Sequence, residues 1–244
     1  MLVKSKVKYI QTLGQKQFRE KEGFFIAEGP KLVLELLLSG NAKIKELFAV
    51  AEWISENKKW LVKMEVTEIT EKELERISQL KTPNKVVAIV QQFDNSTPID
   101  TKNKISLVLD NVQDPGNLGT IIRTADWFGV EQIICSPGTA DVYNSKVVQA
   151  TMGSIVRVKV FYTDLKKWLA AQNEVPIYAA VLEGQDVTSM KKITEGIIIF
   201  GNESKGISPE ILQLVKIKLT IPKKGKAESL NVAVAVGVVL GSIA

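Results

Sequence analysis

The chain reads as two α/β domains in series, the second built on a mostly parallel sheet with flanking helices. Three observations predict this. Short apolar runs alternate with helical patterns from residue 24 onward. The stretch 94–104, rich in turn formers and poor in core residues, interrupts them. Beyond it the strands become continuous apolar runs, the pattern of strands covered on both faces.

In chain order, the first domain is carried by FFIAE, PKLVLELLL, IKELFAV, KMEVTEI, EKELERISQL and KVVAIVQQ, all within 24–92. Pro30 sits where a first helical residue is tolerated, and Leu32, Val33, Leu36 and Leu37 supply one apolar helix face. Domain boundaries are expected at 1–94, a linker at 95–104 and a second domain at 105–244. There, ISLVLD (105–110), QIICS (132–136), IYAAVL (177–182) and GIIIFGN (196–202) are the strands. Helical segments are expected at 117–128, 145–153, 164–172 and 208–215. In such sheets ligands gather where strands end and loops begin.

Composition removes several chemistries. With 244 residues, 45% apolar and 24% charged, the chain can bury a sizeable core. It has no histidine, and Cys135 is its one cysteine, so Ser-His-Asp triads, Cys-His dyads, internal disulfides and ordinary zinc sites are excluded, and no metal is expected. The opening MLVKSKVKYI is charged where a secretory signal needs an apolar run, and no run approaches the roughly 18 apolar residues of a membrane span. A cytoplasmic protein without membrane association is expected. The net charge of +5 resides entirely in residues 1–21. That stretch suits a solvated amphipathic helix through Val3, Val7 and Ile10, or a basic arm for a polyanionic partner.

Three segments have the composition of a site. In 109–129, a strand ends at Asp110, a turn carries Pro115-Gly116, and Asn117 reads as a helix N-cap. Leu118, Ile121, Ile122, Ala125 and Phe128 form one stripe with Arg123 opposite. Arg123 is either an exposed residue of a sheet-packing helix or, with Asn117, a grip on phosphate or ribose. In 200–210, Gly201 and Gly206 allow close backbone approach to a ligand, Glu203 is a carboxylate at a strand end, and Ser208-Pro209 opens a helix. In 221–241, the Val-Ala alternation admits a buried strand, but Ala233, Gly237 and Gly241 recur every four residues and favour a helix capped by Ser229. With so few polar positions that helix should be wholly buried, partly in a subunit interface. Lys223, Lys224 and Lys226 flank its loop, for solubility or for contact with nucleic-acid backbone.

Together, Asn117 with Arg123, Gly201-Asn202-Glu203, and Ile221-Pro222 followed by Ser229-Leu230-Asn231 resemble the three motifs of the SpoU (TrmH-type) RNA ribose methyltransferases, in order and spacing. FFIAEGPKLVLELL resembles the start of that family's substrate-binding domain, and SKVVQATMGS (145–154) matches a helix ending in a small-residue turn. The resemblance implies a trefoil-knotted C-terminal α/β domain, a smaller N-terminal ribosomal-protein L30e-like α/β domain, and a homodimer. It further implies methyl transfer from S-adenosylmethionine to a ribose 2′-hydroxyl of RNA, with ribosomal RNA preferred over transfer RNA. A non-catalytic RNA-binding protein on the same scaffold is the competing reading. By motif position Leu182, Gly201, Ile221, Ser229 and Leu230 would contact the cofactor. Arg123, Asn117, Glu203, Ser229 and Asn231 would carry catalysis. Arg123 would position the nucleotide and stabilise a developing alkoxide, since a guanidinium does not give up its proton near neutrality.

Overall fold

A computed structural model describes residues 1–62, 64–95 and 98–243. Ser96 and Thr97, inside the expected linker, lie outside the described residues. The chain divides into two compact units: Met1–Asp94 with Asp141–Val156, and Asn95–Ala140 with Arg157–Ala244.

The first unit holds a four-stranded sheet in the order β1-β4-β2-β3, from β1 (Phe24–Glu28), β2 (Ile44–Ala49), β3 (Val66–Glu68) and β4 (Val86–Gln91). β4 runs antiparallel to both neighbours, and β2 and β3 are parallel. Around it lie α1 (Lys4–Thr12), α2 (Lys16–Glu22), α3 (Pro30–Ser39), α4 (Ala51–Asn57) and α5 (Glu71–Ile77). Pro30 opens α3 as expected, and Leu32, Val33 and Leu36 are buried.

The basic N-terminal stretch is more than a solvated arm. Val7, Ile10 and Leu13 are buried, Lys6 pairs with Glu46 at 2.8 Å, and Arg19 is buried against Asp141 at 2.5 Å while donating to the Leu13 carbonyl. Two of its six cations therefore hold the fold, and Val3 is exposed rather than part of the packed stripe.

The helix expected over 145–153 is α7 (Ser145–Ala150), capped by Asn144, and it packs on β1 of the first unit instead of on the second sheet. Its segment is well anchored. The Tyr143 ring lies 4.8 Å from that of Phe25, and its hydroxyl accepts from the Phe93 amide at 2.8 Å. Burial pushes that hydroxyl up to about 12. Gln149 donates to the Glu28 carbonyl. The Glu28 carboxylate, buried and so raised from its ordinary value, accepts from the Ser78 hydroxyl and the Gln79 amide and fixes the turn after α5.

The second unit is a six-stranded, all-parallel sheet in the order β10-β8-β9-β5-β6-β7. Its strands are β5 (Ile105–Leu109), β6 (Gln132–Cys135), β7 (Lys159–Tyr162), β8 (Ile177–Asp186), β9 (Gly196–Phe200) and β10 (Ile217–Thr220). All five residues of β9 are buried, as the unbroken apolar run requires, whereas β10 at the edge alternates. On one face, Val108, Ile134, Ala179, Ile197 and Ile199 pack with Leu165 and Leu169 of α8 (Leu165–Ala170) and Ile211 of α9 (Pro209–Leu212). Burying each Ile side chain there contributes roughly 1.5–3 kcal/mol.

α6 (Pro115–Trp127) follows β5, and α10 (Val232–Ile243) packs on it. Leu118, Ile121, Ile122 and Ala125 are buried and Arg123 is exposed, as the stripe predicts. The last segment is the helix and not the strand, but its burial is incomplete: Val234 and Val238 face out. A methyl added at Gly237 or Gly241 would meet Thr124 at 3.8 Å or Phe128 at 3.6 Å, ordinary contact distances, so the glycines lie on the α6 face without the space there demanding them.

Candidate active site

Because β5 and β9 are parallel neighbours, the turns that follow them, 110–114 and 201–208, emerge side by side. Buried Asp110 ties them together. One carboxylate oxygen accepts from the Ser208 amide at 2.8 Å and the other from Asn111 Nδ2 at 2.9 Å. Asn111 adopts a left-handed conformation, φ 57°, that asparagine tolerates. Its carbonyl accepts from Asn202 Nδ2 at 2.7 Å. Asn202 Oδ1 in turn takes the Ser204 and Lys205 amides, both at 3.0 Å, and the Asn202–Gly206 backbone pair closes the loop. A Cβ on Gly201 would stand 2.1 Å from the Gly206 carbonyl carbon. The loop's own return thus demands this glycine, whatever a ligand asks of it.

Helix α6 begins earlier than expected. Asp114 is its cap, accepting from the Asn117 amide at 2.8 Å, because Pro115 is best placed at the first helical position and moves the cap back. Asn117 is therefore the third helical residue, with its side chain released for other partners. At the last helix the cap is Asn231 and not Ser229: Asn231 Oδ1 accepts from the Ala233 and Val234 amides at 2.9 and 3.3 Å.

These starts converge. Asn231 Nδ2 donates to Asn117 Oδ1 at 2.9 Å, and Asn117 Nδ2 donates to Glu203 Oε1 at 2.7 Å. The chain has one direction, fixed at both ends. A carboxylate only accepts, and the Asn231 oxygen is already held by helix amides, so Asn117 must turn its oxygen to Asn231 and its amide to Glu203. One residue from each of the three motifs takes part. Arg123, six residues past Asn117 and about 120° around the helix, is not in the chain; it makes no hydrogen bond or ion pair among the described residues and stands exposed. Asn117 and Glu203 thus hold each other rather than Arg123.

Of the residues expected at a cofactor, Gly201 and Ile221 directly follow β9 and β10, the two neighbours of β8, whereas Leu182 lies within β8 and Ser229 and Leu230 lie just before α10. β8 bulges between Ala179, opposite Lys218, and Gln185, opposite Leu219. Gly184 permits this, since a Cβ there would come within 2.6 Å of the Lys218 backbone. Leu182 projects from the bulge, 74% exposed, and its carbonyl accepts from the Thr220 hydroxyl at 2.9 Å, beside half-buried Ile221. Gly201 directly follows β9, the neighbour of β8, and Ser229 and exposed Leu230 immediately precede Asn231. Asp110 and Asn202 were read only as a strand end and a motif member, and the supporting Asn111, Asp114 and Gly184 were not anticipated; the Asp114-Pro115 pair was the readable signal for the true helix start. No metal-binding cluster occurs among the described residues, and none of their helices is long and apolar enough to cross a membrane.

The family model of the SpoU rRNA methylase family matches residues 104–241, and that of the MRM3-like substrate binding domain matches residues 4–88. The chain belongs to the SpoU rRNA methylase family. It is 32% identical over 240 residues to RlmP of Bacillus subtilis, a 23S rRNA (guanosine(2553)-2′-O)-methyltransferase, covering 96% of this chain and 94% of that one. The AdoMet-bound rRNA methyltransferase of Sinorhizobium meliloti is 34% identical with a TM-score of 0.86, covering 99% and 95%. AviRb of Streptomyces viridochromogenes, at 24% identity and a TM-score of 0.83 over 98% and 97%, shares the fold. The SpoU motifs read in the sequence are thus the segments that this family's fold draws together at the ends of β5, β9 and β10.

Proposed function

We propose that this enzyme transfers a methyl group from S-adenosylmethionine to a ribose 2′-hydroxyl of ribosomal RNA. The observation that carries the reading is the Asn231–Asn117–Glu203 chain, which makes one site of the three motifs. Ribosomal RNA is favoured because the Bacillus subtilis and Sinorhizobium meliloti relatives are named for it and match nearly the whole chain.

The residues present fit the cofactor. Leu182 in the β8 bulge, Ile221 after β10 and Leu230 before α10 leave apolar surface uncovered, as a flat nucleobase requires. The amides of Lys223–Leu230 donate to no backbone carbonyl among the described residues, so polar edges can be met there. Leu182, Gly201, Ile221 and Leu230 would hold the cofactor, with Ser229 near its tail. Bound there, it supplies the electrophilic methyl.

What remains for the chain is to place a ribose oxygen in line and to handle its proton. Positioning is worth several kcal/mol of barrier, because it turns a bimolecular encounter into an oriented one. Arg123 is the exposed permanent cation of the first motif. It binds the target nucleotide and stabilises the oxygen as its O–H bond breaks and the O–C bond forms. Being always protonated it takes no proton, and with no histidine in the chain an RNA phosphate held by Arg123 is the acceptor we assign. Asn117, Glu203 and Asn231 fix the walls of the site.

The same reading makes the enzyme a cytoplasmic homodimer. Trp127 of α6 is 84% exposed and Val234 of α10 51%, an apolar surface for a second copy to cover. Arg123, one turn before Trp127, would then lie at the interface. The return of α10 from the edge strand β10 to α6 supports a threaded, knotted chain end, and the match of residues 4–88 to a substrate binding domain supports residues 1–94 as the RNA-binding part.

The test is methyl incorporation into large-subunit ribosomal RNA transcripts by wild type, Arg123→Lys and Arg123→Ala, with S-adenosylmethionine affinity measured by calorimetry. Loss of turnover with unchanged cofactor affinity is expected. Near-normal turnover in both variants overturns the assignment. Val234→Lys should shift sedimentation from dimer to monomer.

A further inference from the structure

We infer that the turn leading out of α4, Lys58–Val62, is a stacking platform for an unpaired RNA nucleotide, with Trp60 as its face and Lys58 and Lys59 as its phosphate contacts. This rests on the RNA reading above and adds a surface remote in sequence from all three motifs.

The local sequence is Asn57-Lys58-Lys59-Trp60-Leu61-Val62. Lys58–Trp60 form a single 3-10 turn that leads out of α4. Leu61 is buried and pins the turn to the unit, so its neighbours are displayed instead of trailing. Trp60 is 43% exposed and Val62 82%. A tryptophan is the largest apolar side chain, and nothing in the fold forces it to a surface turn. Here it is held with lysines at both preceding positions and no acidic residue from Lys58 to Val62. The Lys59 ammonium stands 4.7 Å from the centroid of the Trp60 ring, and Lys58 is exposed with no ion pair among the described residues. By contrast Lys85, in the same unit, is paired with Glu52 at 3.0 Å.

That combination selects its occupant. A protein partner's apolar patch would fit Trp60 and Val62 but would have to strip water from the Lys58 ammonium, which has no ion pair among the described residues, and from Lys59 beside the ring. An unpaired nucleotide satisfies both parts at once, its base stacking on the indole and its phosphates meeting the lysines. A duplex offers phosphates but no free base face, so the platform should prefer single-stranded or looped RNA.

The probes are a single-stranded RNA 12-mer and a blunt RNA duplex, titrated against the full-length protein. Trp60→Ala should weaken 12-mer binding about tenfold while leaving duplex binding within about twofold, from the usual cost of losing one base–aromatic stack. Trp60→Phe should retain most of the affinity. Lys58→Ala with Lys59→Ala should lower the salt slope for the 12-mer by about 1.4, two contacts at about 0.7 each. Melting temperature and S-adenosylmethionine affinity are read for every variant. Wild-type 12-mer affinity in Trp60→Ala, or an unchanged salt slope in the lysine variant, overturns the platform and leaves the RNA reading standing. Failure of wild type to bind either RNA sinks the RNA reading itself, and the platform with it.

Discussion

Replacing Asn231 by Asp separates the two jobs of that residue. A carboxylate still accepts from the Ala233 and Val234 amides, so α10 keeps its cap, and the added negative charge suits a helix N-terminus. What it lacks is the Nδ2 donor. An acceptor would face Asn117 Oδ1 across 2.9 Å, and turning the Asn117 amide over only moves the conflict, since its oxygen would then face the Glu203 carboxylate across 2.7 Å. The chain cannot be rebuilt in either orientation. One lost hydrogen bond costs about 1 kcal/mol, or roughly 2–4 °C in melting temperature for a chain of this size. Asn231→Ala forfeits the cap as well and should cost about 2 kcal/mol. Turnover should respond out of proportion: if the chain holds the site walls in register, a displacement near 1 Å lowers kcat about a hundredfold. Single-turnover methyl transfer with saturating cofactor is the assay, read beside the denaturant midpoint. Asn231→Asp with wild-type kcat refutes the reasoning. Glu203→Gln should be the milder change for loop position, since its amide oxygen still accepts from Asn117.

Other consequences are as specific. Gly184→Ala places a methyl 2.6 Å from the Lys218 backbone, which cannot swing aside; the expected loss is about 1–3 kcal/mol together with weaker S-adenosylmethionine binding, and an unchanged denaturant midpoint refutes it. Asp141→Ala leaves the Arg19 guanidinium, 3% exposed, without its counter-ion, and should cost about 3 kcal/mol; chemical unfolding that shifts by less than 1 kcal/mol would show the pair to be dispensable. Glu73 accepts from the Thr70 and Leu2 amides, which lower its carboxyl from 4.5 to about 2. Its folded value is depressed, so its contribution is complete above pH 4.5 and is lost as pH falls toward 2. A carbon-13 titration of Glu73 centred near 4.5 would contradict the capping geometry.

Much of the second unit was legible because a parallel sheet with both faces covered leaves an unmistakable trace: Ile197, Ile198 and Ile199 admit no other placement. Shorter pieces were not. β7 and β10 are as short as β6 but each carries a lysine that breaks the apolar run, and α4 has seven residues with Trp53 alone buried, too little for periodicity to register. Helix starts failed for one reason. Two capable caps compete within three residues, Asp114 with Asn117 and Ser229 with Asn231, and the choice depends on where the flanking chain can turn. The helix expected over 145–153 was found, but its packing on β1 comes from Tyr143 and Gln149 meeting residues over a hundred positions away, which no local pattern records. The site followed the same division. Asn117, Glu203 and Asn231 were readable as candidates; that they bond one another and not Arg123 was not.

The order of the sheet explains why the motifs are scattered along the chain. Parallel strands must be joined by crossovers, so neighbours such as β5 and β9 stand far apart in sequence while their C-terminal ends share one edge. The third contributor arrives last, when α10 comes back from the edge strand to lie on α6. The Asn231–Asn117 bond can form only once that return is complete, so a correctly formed site certifies the whole second unit. The two helices that close the site also leave Val234, Val238 and Trp127 uncovered. A second copy that covered them, as the proposed homodimer requires, would therefore bear directly on the helices that carry Asn117 and Asn231.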